Sequence, residues 1–361
     1  MNRRNLRAPL SRRDFLQLAA STAAVAVGSA CDFGPSSVPS WPFLLGVASG
    51  DPLADRVVIW TRLAPEPLAP GGTGGMPDTP VTVFWELAHD DGFRNIARVG
   101  AAIAHPSLGH SVHVDVNGLE PDRWYFYRFY AGGHVSPVGR TRTFPRADQA
   151  PALLRFASAS CQNYAQGFYT SHAALAEEEL DFVAFLGDYI YESGATGPVR
   201  AHVGGRIEDL AGYRNRYGLY KSDENLRAAH ASCPWLVTWD DHEVANNYAG
   251  LLPDENGPTP ILPFPELRAA AYQAWYENQP VRLLPPKGTS SPIHRRFDYG
   301  DLARVFVLDT RQFRTNQECG DGLGNPCAGF PDPNGELLGP AQEAWLFDGL
   351  GASQARWNIL A

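Results

Sequence analysis

The chain is 361 residues long, enough for two domains because a single hydrophobic core rarely grows past roughly 250–300 residues. Hydrophobic residues make up 44% and charged residues 19%, a composition that excludes an intrinsically disordered chain. The formal net charge of −9 argues against a nucleic-acid-binding surface, because it repels phosphate backbones. A bound metal ion could still invert the local field and admit a phosphate-bearing substrate.

Residues 1–30 are predicted to be a twin-arginine export signal. Arg12 and Arg13 supply the paired arginines, and the apolar stretch Leu16–Val27 follows them. This stretch has the length of a signal-peptide core and is too short to span a bilayer. The alternative, an amphipathic helix of the mature protein, is disfavoured because the apolar residues form no helical stripe. We therefore expect the twin-arginine machinery to export the protein to the periplasm, the cell surface or the medium.

Cleavage of this signal is expected before Cys31. Gly28 and Ala30 give the small-x-small pattern that a signal peptidase requires. Cys31 could alternatively carry a lipid anchor at the new N-terminus, although Gly28 rather than leucine stands three residues before it. Residues 31–42 are rich in Pro and Ser, which predicts a linker.

Residues 43–148 predict an all-β domain. Strand-like runs at Val57–Thr61, Val81–Leu87 and Ser111–Val116 are separated by Gly, Pro and Asp turns. The segment Leu119–Phe129 begins with Leu-x-Pro and continues with aromatics, which is typical of the corner of a fibronectin type III-like sandwich. Because the region has no charged or His cluster at ligand spacing, we expect it to be a packing module.

Residues 149–361 predict an α/β domain, a layered β-sandwich flanked by helices. Its strand-like runs are continuously apolar, which indicates burial on both faces, and helical patterns separate them. The predicted strands are Leu153–Ala159, Leu180–Leu186, Trp235–Trp239 and Leu302–Leu308, and the predicted helices are Ser171–Glu179, Ile207–Ala231 with a break near Gly218, and Glu266–Asn278.

Polar side chains follow each predicted strand: Ser160–Asn163, Gly187–Glu192, Asp240–Glu243 and Asp309–Arg311, in chain order. Because the carboxyl ends of parallel strands meet at one edge of a sheet, these loops should bring a thiol, carboxylates, a phenol and an imidazole together. Such groups are ligands for hard or borderline metal ions. A lone Asp is more often a helix N-cap and a lone Cys a buried thiol, but four consecutive ionisable residues after a strand are costly to bury unless paired or metal-bound.

Two of these segments, Leu186–Glu192 and Trp239–Asn247, resemble signature segments of PhoD-like alkaline phosphatases. Gly46–Pro52, Ala159–Gln162 and Val307–Arg311 resemble further segments of that family, so the similarity extends over nearly all of the chain after the signal. The resemblance implies a metallophosphoesterase, related in site design to purple acid phosphatases. Such enzymes hydrolyse phosphomonoesters or phosphodiesters with an iron(III) and calcium centre. We expect the protein to be a monomer.

The resemblance also implies metal ligands. Cys161 would be a thiolate ligand to iron, Asp188 would bridge the metals, and Tyr191 would give a phenolate to the ferric ion. Asp241 would bind the second metal, and Asn247 is a weaker candidate ligand because only its Asn-Asn pair supports it.

The same resemblance assigns His242 a catalytic role, either to protonate the leaving-group oxygen or to hold the phosphate. Asp309 and Arg311 would support the site by salt bridges or hydrogen bonds. We expect metal-assisted hydrolysis, in which a hydroxide acidified by coordination attacks phosphorus in line with the leaving group.

Three expectations concern the remaining cysteines and the end of the chain. Cys319 and Cys327 are expected to form a disulfide in an oxidising compartment, and Cys233 to be a buried thiol. Family members continue beyond Ala361 with strands that carry further His ligands, so the phosphatase domain is expected to be truncated. Two alternatives to an active phosphoesterase stay open: an exported, catalytically impaired fragment or non-enzymatic binding protein, and a redox or metal-storage role built on Cys161.

Overall fold

The computed structural model describes residues 38–255, 257–317, 319, 327, 328 and 330–361. The predicted export signal, Cys31 and the first part of the linker lie outside the described residues. Where the chain is described it forms three β-sheets, built from β1 Val47–Gly50, β2 Arg56–Arg62, β3 Val81–Ala88, β4 Ile96–Ala104, β5 Ser111–Asn117, β6 Trp124–Ala131, β7 His134–Val135, β8 Gly139–Arg142, β9 Phe156–Ala159, β10 Phe182–Phe185, β11 Trp235–Val237, β12 Arg295–Tyr299, β13 Ala303–Val307 and β14 Trp357–Leu360.

In the part of the chain that the structure describes, five α-helices lie between these strands. They are α1 Thr170–Glu177, α2 Leu210–Lys221, α3 Glu224–Ser232, α4 Phe264–Asn278 and α5 Pro340–Gly351. Within the described ranges, none of the helices combines the length and the apolar character that crossing a bilayer requires.

The N-terminal strands form two sheets packed face to face, as expected for an all-β region. Strands β4, β3, β6, β7 and β8 form one antiparallel sheet, and β5, β2 and β1 lie in the other. The space between them is filled by a cluster of buried side chains that includes Ile59, Trp85 and Tyr127. Tyr125, the second residue of strand β6, is buried, and its hydroxyl accepts a hydrogen bond from the backbone N–H of Glu120 at 2.9 Å.

The sheet that contains β1 does not stop at the end of the N-terminal region. Its strand order is β5-β2-β1-β11-β10-β9, and β1 pairs in parallel with β11 through Gly50 and Trp235. Gly50 has no room for a side chain, because a Cβ there would lie 2.2 Å from the carbonyl oxygen of Pro280. The adjacent Asp51 is fully buried and forms an ion pair with Arg295 at 2.9 Å. The Gly46–Pro52 motif therefore holds the two parts of the chain together.

The six-stranded sheet is covered on both faces, which explains the continuously apolar strands. On one face, Phe182 and Leu236 pack against Phe297 and Val305 of the three-stranded sheet β12-β13-β14. On the other face, a second cluster joins alternate strand residues such as Val183 to the aromatic side chains of α2 and α4. The prediction of an α/β arrangement of sheets and helices is confirmed. The predicted strand Leu302–Leu308, however, forms β13 of the three-stranded sheet β12-β13-β14 and does not belong to the six-stranded sheet.

The predicted long helix is interrupted, but not near Gly218. It ends as α2 at Lys221, and α3 starts after Asp223, whose carboxylate accepts the N–H of Asn225 at 2.9 Å as an N-cap. Gly218 lies inside α2 for a different reason. A Cβ there would lie 2.5 Å from the carbonyl oxygen of Pro67, so the glycine permits close packing of the helix against that loop.

The cysteine predictions agree with the structure. Cys319 and Cys327 form a disulfide, and Cys233 is a buried free thiol.

Candidate metal site

Strands β9, β10 and β11 are parallel, so the loops that follow them meet at one edge of the sheet. Backbone hydrogen bonds join the first two loops: the N–H of Cys161 donates to the carbonyl of Gly187 at 3.1 Å, and that of Gln162 to the carbonyl of Asp188 at 3.1 Å. The third loop approaches Gly187 so closely that a Cβ there would lie 2.3 Å from the backbone nitrogen of Asp240. The glycine of the Gly-Asp pair is therefore a packing requirement.

Three of the predicted ligands have a left-handed backbone. The φ angles are 56° at Cys161, 55° at Asp188 and 54° at Asn247. Non-glycine residues adopt this region infrequently, and when several do so together they are commonly found at functional sites whose surroundings impose the conformation. At Asp188 the surroundings are visible, because its backbone N–H donates to the Glu243 carboxylate at 3.1 Å.

Asp188, Asp241 and His242 lie together at the centre of the site. Each offers one potential ligand atom, and these atoms lie within 4.8 Å of one another. Asp188 is 6% exposed; its Oδ2 accepts the Tyr191 hydroxyl at 3.1 Å, but its Oδ1 is buried without a hydrogen-bond partner. Burial, and then the charge of Asp241, raises the pKa of Asp188. An unpartnered buried carboxylate oxygen beside a second acid fits a cation.

The thiol and the phenol predicted as iron ligands flank Asp188. Cys161 is exposed as a residue, but partial desolvation of its thiol raises the thiol pKa, and Asp188 and Asp240 act in the same direction. Burial also raises the pKa of Tyr191, and the charge of Asp188 adds to it. Both shifts favour the protonated form of these groups in the protein without a metal. A bound cation would reverse this preference, because coordination favours the deprotonated thiol and phenol.

Asp241 is held by two neighbours. One of its oxygens accepts the backbone N–H of Asn247 at 2.6 Å, and the other lies 3.3 Å from the Arg311 guanidinium. Arg311 also forms an ion pair with Asp240 at 2.5 Å. Asp309 is fully buried and accepts the backbone N–H of Arg311 at 3.0 Å. Arg311 thus contacts both acidic residues directly, and Asp309 contacts the backbone of Arg311.

His242 is fixed by Glu192. Its Nδ1 lies 2.7 Å from Oε2 of Glu192, and its ring centroid lies 4.1 Å from that of Tyr191. Burial lowers the pKa of His242, but the hydrogen bond and charge of Glu192, with the charges of Asp241 and Asp188, outweigh it and raise the pKa to about 9.

Sequence reasoning assigned no role to two buried acids of this site, Glu192 and Glu243. Glu243 is 1% exposed and accepts three backbone N–H groups, from Asp188 at 3.1 Å, from Tyr189 at 2.6 Å and from Asp240 at 2.9 Å. It thereby joins the second and third loops. The run of four ionisable residues at 240–243 was a signal for such a role. No local signal pairs Glu192 with His242, because the two residues are 50 positions apart.

The fold and the site define an α/β domain with a candidate metal site, preceded by an N-terminal all-β region. Sequence profiles agree: residues 156–361 match the PhoD-like phosphatase family, and residues 29–145 match the N-terminal domain of PhoD-like phosphatases. The chain belongs to the PhoD-like phosphatase family, which confirms the resemblance drawn from the sequence motifs.

Two relatives illustrate the match. Alkaline phosphatase D of Bacillus subtilis (strain 168) is 49% identical over 365 residues, which cover 97% of this chain and 62% of the relative. A solved structure described as PhoD is 50% identical, with a TM-score of 0.85, over 92% of this chain and 63% of that one. The chain thus spans somewhat less than two thirds of the length of these relatives.

Proposed function

We propose that the protein is an exported, metal-dependent phosphoester hydrolase that acts on phosphomonoesters or phosphodiesters. The observation that carries the proposal is the buried, unpartnered Oδ1 of Asp188 beside Asp241 and His242. Burial without a partner is costly for a carboxylate oxygen, and a bound cation would remove that cost. Membership of the PhoD-like phosphatase family and 49% identity to an alkaline phosphatase D support the same reaction class.

The donor set fits two kinds of cation. Cys161, Asp188 and Tyr191 offer a thiolate, a carboxylate and a phenolate, a combination that suits iron(III). Asp188, Asp241 and Asn247 offer oxygen atoms, the ligands that Ca²⁺ prefers. When bound, such metals supply an acidified water and neutralise charge on the phosphoryl oxygens.

Of the remaining residues, one would supply a proton to the leaving group, and two would hold the acidic metal ligands in place. His242 would donate a proton to the leaving-group oxygen through Nε2, because its Nδ1 is engaged by Glu192. Arg311 would hold Asp240 and Asp241 through its two ion pairs. Asp309 would keep Arg311 in place through the backbone.

The test is turnover by the full chain purified with iron and calcium, with p-nitrophenyl phosphate and its bis-ester as substrates at alkaline pH. We expect turnover of at least one ester. Asp188→Asn should reduce turnover by more than about a hundredfold, since replacing outer partners of metal ligands alone costs 10–100-fold. Protein that holds both metals but turns over neither ester would refute the proposal and favour a non-enzymatic role.

A spectroscopic test addresses the iron assignment. The wild-type protein should contain iron and show a visible phenolate-to-iron absorption band, which Tyr191→Phe should abolish. A colourless, iron-free and active preparation would contradict the assignment of Tyr191.

Two parts of the proposal concern the N-terminal region. We infer twin-arginine export from Arg12 and Arg13, and replacing both with lysine should leave the protein in the cytoplasm in a cell-fractionation assay. We also infer that strands β1–β8 form a fibronectin type III-like module, which is supported by the two packed sheets and by the hydrogen bond from Glu120 to the Tyr125 hydroxyl.

A further inference from the structure

We propose that Glu192 is a positioning residue that fixes the ring of His242 so that Nε2 is the nitrogen presented to substrate. The inference rests on the proposed phosphoester hydrolysis and assigns a role in that reaction to Glu192, the last residue of the Leu186–Glu192 motif, to which the sequence alone gave none. Glu192 does not touch the predicted metal ligands through its carboxylate. It would act only through the imidazole of His242.

Both carboxylate oxygens of Glu192 are committed to the loop that carries His242. Oε2 lies 2.7 Å from Nδ1 of His242, and Oε1 accepts the backbone N–H of Asn246 at 3.1 Å. Asn246 follows His242 by four residues in the same loop. One oxygen of the Glu192 carboxylate is thus held by the backbone of Asn246, and the other is held by the His242 imidazole. The His242 ring therefore cannot turn about its Cβ–Cγ bond without breaking the 2.7 Å hydrogen bond to Glu192.

The backbone on either side of Glu192 is also held. Arg216 is 3% exposed, and its guanidinium donates to the carbonyls of Tyr191 and Ser193, the latter at 2.7 Å. The carbonyl of Glu192 itself accepts the N–H of Ile207 at 2.9 Å. Glu192 thus projects from a rigid segment rather than from a loose loop.

The Tyr191 ring fixes the plane of the imidazole. The ring centroids of Tyr191 and His242 are 4.1 Å apart with an interplanar angle of 32°. The hydrogen bond from Glu192 therefore sets the direction of the ring, and the contact with Tyr191 sets its tilt. Among the residues that the structure describes, His242 is the only basic side chain in ion-pair range of Glu192, which is 6% exposed. A buried acid paired with one imidazole is suited to orienting it.

An oriented proton donor matters most when the leaving group is a poor one. General acid catalysis contributes typically about 10²–10⁴-fold, and it does so because the donor lies within hydrogen-bond reach of the leaving oxygen. A p-nitrophenolate leaves readily without a proton, whereas an alkoxide does not. Misorientation of His242 should therefore slow alkyl esters much more than nitrophenyl esters.

The experiment compares Glu192→Ala, Glu192→Gln and the wild-type full chain, each loaded with iron and calcium, on aryl and alkyl phosphates of rising leaving-group pKa. We expect Glu192→Ala to lower kcat for alkyl esters by about 10–100-fold, with a smaller loss for p-nitrophenyl phosphate and a nearly unchanged KM. Glu192→Gln, which keeps an acceptor oxygen, should recover part of the loss. Asp254→Asn is the matched control, because Asp254 accepts from the Asn246 side chain instead of contacting His242.

Two further measurements separate orientation from a general structural effect. In a His242→Asn background, Glu192→Ala should cause no additional loss of kcat, and the metal content of each variant should equal that of the wild type. Equal losses for all esters, additive losses with His242→Asn, or loss of metal from Glu192→Ala would overturn the proposal.

The orientation of His242 can also be measured without an activity assay. In nitrogen-15 histidine spectra, assigned with His242→Asn, the Nδ1–H signal of His242 should be present in the wild type and lost in Glu192→Ala. If the wild type turns over no ester, the phosphoesterase proposal fails, while this spectrum still decides whether Glu192 orients His242. An unchanged signal in Glu192→Ala would overturn the positioning role.

Discussion

Replacing Gly187 with alanine should separate the two loops that carry Asp188 and Asp241. Gly187 has a φ angle of 102°, a conformation that side chains rarely permit. The added Cβ would lie 2.3 Å from the backbone nitrogen of Asp240 and 2.6 Å from its Cβ. Because the nearest atom belongs to the backbone, no side chain can rotate away and the loops themselves must move.

The size of the effect follows from these contacts. A non-glycine residue at such a φ costs about 1–3 kcal/mol, and overpacking a filled site costs typically about 1–3 kcal/mol, so unfolding should become easier by about 2–6 kcal/mol. Ordinary van der Waals contact of a Cβ begins at 3.4 Å, so the loops must separate by about 1 Å. A misplacement of about 1 Å can cost about 10²-fold in rate.

The assay is denaturant unfolding together with metal content and ester turnover for Gly187→Ala and a matched control. Gly167→Ala is that control, because Gly167 has an extended backbone with φ −170° and no atom within 4 Å of the added Cβ. The control should behave as the wild type in all three measurements. A Gly187→Ala protein with unchanged stability and unchanged metal content would refute the steric argument.

Three further outcomes follow from buried ionisable groups. Glu243→Gln should lower metal affinity about tenfold, measured by chelator competition, because one amide oxygen cannot serve all three backbone donors. Burial lowers the pKa of His172 to about 4, below its value in the unfolded chain. The free energy of unfolding should therefore fall by up to about 3 kcal/mol as the pH drops from about 6.5 to 4. His172→Gln should flatten this part of the plot of unfolding free energy against pH. Asp51→Asn should reduce the free energy of unfolding by about 3–5 kcal/mol, because it removes the fully buried carboxylate that pairs with the half-buried Arg295. Asp148→Asn, at an exposed ion pair, should cause no measurable change.

Each of these outcomes has a clear opposite. Wild-type metal affinity in Glu243→Gln would show that the loops do not depend on the carboxylate. An unchanged acid profile for His172→Gln would show that its burial does not limit acid stability. Equal stability of the Asp51 and Asp148 variants would show that the junction between the two parts of the chain is not held by the buried ion pair.

The convergence of the candidate metal ligands could be predicted from the sequence, because it depends only on the direction of the strands that precede them. Parallel strands β9–β11 end at one edge, so the residues that follow them had to converge, and Cys161, Asp188 and Asp241 do lie in adjoining loops. The sequence pattern that predicted these strands was a strong one. Continuously apolar runs that end in ionisable residues are typical of strands buried on both faces of a sheet.

The remaining features depend on contacts between distant residues. The pairing of β1 with β11 joins Gly50 to Trp235, and a four-residue strand gives no signal of its partner. The contact between Glu192 and His242 arises where two loops cross, which no periodicity records. The helix break was placed at Gly218 rather than at Asp223 because the sequence does not reveal that Pro67 packs against the helix at that glycine.

The most direct test of the proposed metal-dependent hydrolysis is the metal content and ester turnover of the full chain, measured on the same preparations of wild type and Asp188→Asn. We expect iron and calcium with turnover in the wild type, and loss of both metal and turnover in Asp188→Asn, because the buried Oδ1 of Asp188 has no hydrogen-bond partner in the protein and is free to bind a cation. An Asp188→Asn protein that keeps its metals and its rate would contradict a metal site built on Asp188.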